Sequence, residues 1–210
     1  MTVIDIHTHN VPGQWPALGW DDAPWLRVDS AREATIMVGS REFRRVQANS
    51  WDQAERLADM ASDGVDAQVV SPTPVFFSYD RSPREALRIS EVFNDASLSL
   101  TESSGGRLIP FCQVPLQDPD LACQELDRCL GNGHRGVEIG NHVGDRDLDD
   151  AGIVQFLQHC ASRGVPVFVH PWDMPSSPRL NRWMAQWITG MPADFSCANC
   201  SAVGPCHKAT

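Results

Sequence analysis

Apolar runs and helical stripes alternate along most of this chain. Val3-Ile4-Asp5-Ile6 opens it as a short β-branched run, the pattern of a strand. A second such run spans 63–72 (DGVDAQVVSP), a third 107–116 (RLIPFCQVPL), a fourth 136–142 (GVEIGNH) and a fifth 165–170 (VPVFVH). Between them, apolar residues recur at helical spacing. Ala54, Leu57 and Met60 form one stripe, and Ile89, Val92, Phe93 and Ala96 a second. Ala122, Leu126, Cys129 and Leu130 form a third, ending at Gly131 to Gly133, and Ile153, Phe156, Leu157 and Cys160 a fourth, ending at Gly164. Ser50-Trp51-Asp52-Gln53 and Ser82-Pro83-Arg84-Glu85 read as capping boxes ahead of the first two helices, the latter with proline at the first helical position.

Strand–helix alternation predicts a parallel sheet with right-handed crossovers. The expected class is α/β, a (β/α)8 barrel of the TIM type and of the metal-dependent hydrolase kind. About five of its strands are present, since a complete barrel typically takes about 250 residues and this chain has 210. Residues 10–49, rich in Pro, Gly and Trp, read as an insertion after the first strand, with the barrel portion occupying 1–193. A helix-like stretch follows at 178–188, and the segment 194–210 loses all apolar period. Cys197, Cys200, Cys206 and His207 in that tail could form a metal knuckle, but the preferred reading is a divergent tail foreign to the barrel.

The chemistry gathers at strand ends. Successive side chains on a strand alternate faces, so His7 and His9 point the same way. His170 closes the fifth strand. C-terminal strand ends are where barrels of this kind place their active sites, and imidazoles converging there suit Zn, Fe, Ni or Cu. Asp5, expected on the same face, reads equally as a carboxylate supporting a ligand or as an acid bonded to backbone. His142 reads as a loop-supporting residue, and His134 and His159 as solvent-facing.

Composition narrows the partners. A formal charge of −10 argues against nucleic acid or an anionic membrane, while a local arginine could still hold an anionic substrate. No apolar run is long enough to span a membrane, and no basic-then-apolar leader precedes the first strand. Seven cysteines without a regular framework fit a reducing cytoplasm; Cys123, Cys129 and Cys160 fall in helical stripes as small core residues.

Seven segments, in order from Ile4 to Ala193, carry a resemblance: IDIHTHNVP, FRRVQANSWD, GVDAQVVSPTPVFFSY, QVPLQDPDLACQELDRC, GVEIGNHVGDRDLDD, VFVHPWDM and WMAQWITGMPA. The chain resembles the aminocarboxymuconate semialdehyde decarboxylases of the amidohydrolase superfamily. That resemblance implies a Zn2+-dependent, non-oxidative carboxy-lyase of tryptophan catabolism, usually a homodimer, acting on a small anionic dicarboxylate-type substrate. It matches His7, His9 and His170 to the zinc histidines, Arg44 to an arginine that holds a substrate carboxylate, and Trp172 and Trp187 to aromatics near the substrate. The family's catalytic histidine and zinc aspartate fall beyond the matching region, so no catalytic residue is assigned, and the chain reads as C-terminally truncated. Two other functions fit the same residues: another hydrolase of the superfamily, or a catalytically inactive fragment.

Overall fold

A computed structural model describes residues 1–172, 177–182 and 185–192, with the side chains of residues 181, 186 and 187 left out. Five strands form one parallel sheet in the order β1 (Ile4–Asn10), β5 (Ala67–Pro72), β6 (Leu108–Cys112), β7 (Gly136–Gly140) and β10 (Val167–His170). All four pairings are parallel. The helices α1 (Gln53–Asp63), α2 (Pro83–Thr101), α3 (Pro119–Asn132) and α4 (Ala151–Arg163) connect them. This is the expected incomplete barrel of the TIM type. The sheet curls, so that the ring of His7 on one edge strand lies 5.1 Å from that of Phe168 on the other.

Local chemistry explains where the helices begin and end. Ser82 caps α2 in a reciprocal box with Glu85, Pro83 following it. For α1 the cap is Asp52, which accepts from the Glu55 amide. The box expected to start at Ser50 does not form, because residues 48–50 are taken up by a single tight turn. Gly164 ends α4 at φ 65°, a left-handed conformation that costs glycine little, and so turns the chain directly into β10.

Residues 10–49 contain a second layer. The strands β2 (Pro24–Val28), β3 (Glu33–Val38) and β4 (Arg41–Gln47) form an antiparallel sheet. Ile36 of β3 joins Val11, Phe76, Ile89 and Phe93 in a cluster that fastens this sheet to α2. The main core lies between β6–β7 and α3–α4, around Leu116, Leu126, Ile139, Ile153 and Phe156. His134, expected in solvent, is buried beneath α3, with its ring nitrogens facing the Cys129 and Asn94 carbonyls. His142 and Val143 (β8) pair with Arg146 and Asp147 (β9) in a short hairpin, where His142 Nδ1 meets the Gly144 carbonyl. The expected helix at 178–188 is broken into one turn, α5 (Pro178–Asn181), and a wide turn over Gln186–Gly190. The segment 194–210, with its cysteines and His207, lies outside the described residues.

Candidate metal centre

His7 and His9 end the first parallel strand, and the pairing of that strand with β5 slips by one residue between Asp5 and Thr8. Bulges of this kind re-aim side chains next to active sites, and here the simple alternation extended back to Asp5 is interrupted. The Asp5 carboxylate accepts the His7 amide hydrogen at 3.1 Å, which is its backbone-supporting reading. Beyond the slip the two imidazoles converge, Nε2 to Nε2, at 3.1 Å. His170 arrives from the opposite edge of the curled sheet, its ring centroid 5.0 Å from that of His7 and 5.1 Å from that of His9.

The ring orientations are fixed from outside. His170 Nδ1 lies 2.7 Å from the Pro171 carbonyl, which can only accept, so Nδ1 carries the proton and Nε2 keeps its lone pair. The Ser71 hydroxyl donates to the Thr8 carbonyl at 3.1 Å and faces His9 Nδ1 at 3.3 Å. With that hydroxyl proton engaged, His9 Nδ1–H is the donor and its Nε2 is free toward the cluster. Partners of this kind set the tautomer of metal-binding histidines.

Two charged residues that the sequence reading passed over complete the surroundings. Arg56, buried on α1, donates to the His9 carbonyl at 2.6 Å, to Thr8 Oγ1 at 3.2 Å, to Gln68 at 3.1 Å and to the Asn49 carbonyl at 2.8 Å. It ties the backbone of the ligand strand to the neighbouring helix and strand. Glu138, in the middle of β7, is fully buried, with Oε1 3.8 Å from His9 Nδ1 and no hydrogen-bond partner at either oxygen. Burial pushes its carboxyl well above the ordinary range. A lone acid inside the run GVEIG was the signal available for it.

Electrostatics keep two of the imidazoles, those of His9 and His170, neutral. His9 is held down to about 3, first by burial, then by the charges of His170, His7, Arg56 and Arg44. Burial also lowers His170. Neutral imidazole is the form that binds metal. One donor atom each from His7, His9, His170 and Glu138 lie within 4.8 Å of one another. Three nitrogen donors and an orphaned carboxylate fit a divalent first-row metal.

The substrate-side residues fall nearby to differing degrees. Arg44 is exposed on β4, its guanidinium 5.6 Å from the Phe43 ring centre and near enough to His9 for its charge to act on that imidazole. Trp172 sits just past β10, packed on Phe77 and Tyr79, and its amide donates to Asn141 Oδ1 at 2.8 Å. With Phe43, Arg41, Tyr79 and Arg81 it lines a cavity of about 390 Å³. Trp187 lies in the turn Gln186–Gly190, and its side chain is outside the described part. Among the described residues no helix is long and apolar enough to cross a membrane.

Comparison with known proteins agrees with this picture. The amidohydrolase family model matches residues 4–196. A 2-amino-3-carboxymuconate-6-semialdehyde decarboxylase from Dictyostelium discoideum is 34% identical over 95% of the chain, and one from Caenorhabditis elegans 27% identical over 95%. The chain spans 57% and 63%, respectively, of the length of these curated relatives. Among solved structures, the Metarhizium anisopliae IDCase in apo form superposes with a TM-score of 0.77 at 20% identity, covering 96% of this chain and 60% of that one.

Proposed function

The chain belongs to the amidohydrolase family, and from that premise we propose that the protein is a zinc-dependent, non-oxidative carboxy-lyase acting on 2-amino-3-carboxymuconate 6-semialdehyde. The observation that carries this reading is the meeting of His7, His9 and His170 at the strand ends with their rings about 5 Å apart. The names of the two curated relatives supply the reaction and the substrate. His7, His9 and His170 hold the ion through their free nitrogens. When bound, the ion supplies Lewis acidity and a water activated near neutral pH.

The chain's own side chains do the rest. Arg44 grips one substrate carboxylate through a two-pronged, charge-assisted bond and so fixes the orientation of the reacting carbon. Its charge also opposes protonation of His9, keeping that nitrogen available. Trp172 walls the substrate with aromatic surface, and Trp187 is given the same role on the family resemblance alone. The barrel segment is 1–193, and the working unit is a homodimer in the cytoplasm, a placement supported by the free thiols of Cys112, Cys123, Cys129 and Cys160.

The test is zinc content and CO2 release measured on the same purified chain. About one zinc per chain, lost in His7→Ala, is expected for a three-histidine centre. CO2 release from the semialdehyde should then follow zinc content, and Arg44→Ala should raise KM about 100-fold through loss of a charge-assisted contact. A folded, zinc-loaded chain that takes up water without releasing CO2 would make it a hydrolase instead. One that does neither would leave it an inactive fragment.

A further inference from the structure

We infer that Arg41 is a second anion-holding residue beside Arg44, and that the cavity it lines selects small acids carrying two carboxylates. The inference rests on the reading of Arg44 as the holder of one substrate carboxylate, and adds to it a partner from the same strand.

β4 carries the run Arg41-Glu42-Phe43-Arg44. Strict alternation would put Arg41 and Arg44 on opposite faces. The pairing of β3 with β4 slips between Ile36 and Met37, so that Val38 pairs with Arg41, Met37 with Glu42 and Ile36 with Arg44. Three residues of β4, Glu42 to Arg44, therefore stand opposite two of β3. Paired residues share a face of the sheet, and Val38 and Ile36 both belong to the apolar cluster on its inner side. The bulge thus turns both arginines to that side, with Phe43 between them. Bulges re-aim side chains in this way.

The neighbouring charges are engaged elsewhere. Glu42 faces the outer side, where Arg27 meets it at 2.9 Å. Arg81, on the same cavity as Arg41, is forked onto the Asp22 carboxylate at 2.8 and 3.2 Å. Asp80, also on the lining, is exposed and pairs with neither arginine among the described residues. Arg41 likewise has no carboxylate partner among them. Its charge therefore serves a cavity of about 390 Å³ whose walls include Phe43, Phe76, Tyr79 and Trp172. Trp172 follows His170 by two residues, so the cavity reaches the strand end that carries a metal ligand.

A single arginine leaves a bound acid free to swing about that one contact. A second arginine on the same face fixes the other end, and an acid with one carboxylate can use only one of the two. Arg41 is thus a positioning residue with no part in bond breaking. Losing it removes binding shared by the ground and transition states, so KM should rise while kcat holds.

The experiment is calorimetric titration of the full chain, as purified, with isophthalate and with benzoate, comparing wild type, Arg41→Gln, Arg41→Lys and Arg44→Ala. Benzoate serves as the control for any carboxylate contact with the metal. Arg41→Gln should weaken isophthalate by about 10- to 100-fold, the worth of one hydrogen bond to a charged group, and leave benzoate unchanged. Arg41→Lys should recover part of the loss, since it keeps the charge and gives up the fork. Arg44→Ala should weaken both acids. Because Arg41 is exposed, the Tm of its variants should match that of wild type. Arg41→Gln that weakens both acids equally or neither, or wild type that binds isophthalate no more tightly than benzoate, overturns the inference. If Arg44→Ala still weakens both acids in that case, the reading of Arg44 stands and only the second holder is lost. If Arg44→Ala also changes nothing, that reading fails with it.

Discussion

At the scale of single residues, the site depends on groups that touch no substrate. Arg56 satisfies four acceptors at once, one of them the carbonyl of His9. Replacing it with methionine strands those acceptors in a buried place, so Arg56→Met should cost at least about 2 kcal/mol in urea unfolding and lower zinc affinity with it. Lysine, which cannot fork, should recover only part. A second expectation concerns pH in the metal-free protein. His9 is neutral in the fold down to about 3, whereas in the unfolded chain it takes a proton near 6.5. Its contribution is therefore complete above pH 6.5 and is lost as pH falls from there toward 3, by up to roughly 1 kcal/mol per pH unit. Urea midpoints of wild type and His9→Gln across that window would show it, wild type losing stability relative to the variant as pH falls. The histidines were legible from sequence because strand alternation and strand ends are local properties. Glu138, Arg56 and His134 were not, because their roles follow from burial, which depends on segments remote in sequence.

At the scale of elements, the reading succeeded wherever a period or a cap acts within a few residues. The five parallel strands and four connecting helices follow from such signals, as does the Ser82 box. Ser82→Ala should cost about 1 kcal/mol by thermal unfolding, the usual worth of an N-cap. The sheet β2–β3–β4 was missed for a physical reason. Ala34, Thr35, Ile36 and Met37 are all buried in succession, so β3 shows no alternation by which to read it as a strand. The neighbour that buries Ile36 includes α2, a contact no local window contains. Packing between elements also sets a limit at β7. A methyl group on Gly136 would sit 2.3 Å from the Phe111 ring, across the β6–β7 pairing. Gly136→Ala should accordingly destabilise the protein by about 1–3 kcal/mol in denaturant unfolding.

For the molecule as a whole, the curl of the sheet is what brings remote residues together, and it also leaves the outer edges of β1 and β10 without a neighbouring strand among the described residues. Ile4 and Ile6 on β1 are 52% and 60% exposed. Open apolar edges invite pairing with other chains, so sedimentation velocity should show association that grows with concentration and weakens in Ile6→Lys. A concentration-independent monomer would contradict this. The same curl has a consequence for biosynthesis. His7 and His9 leave the ribosome about 160 residues before His170 does, an interval of roughly ten to thirty seconds at ~5–20 residues per second. Through that time the nascent chain offers only a two-pronged chelate, too weak to retain an ion against cellular ligands. Which metal the protein carries is therefore decided by the ions it meets once β10 has folded into place.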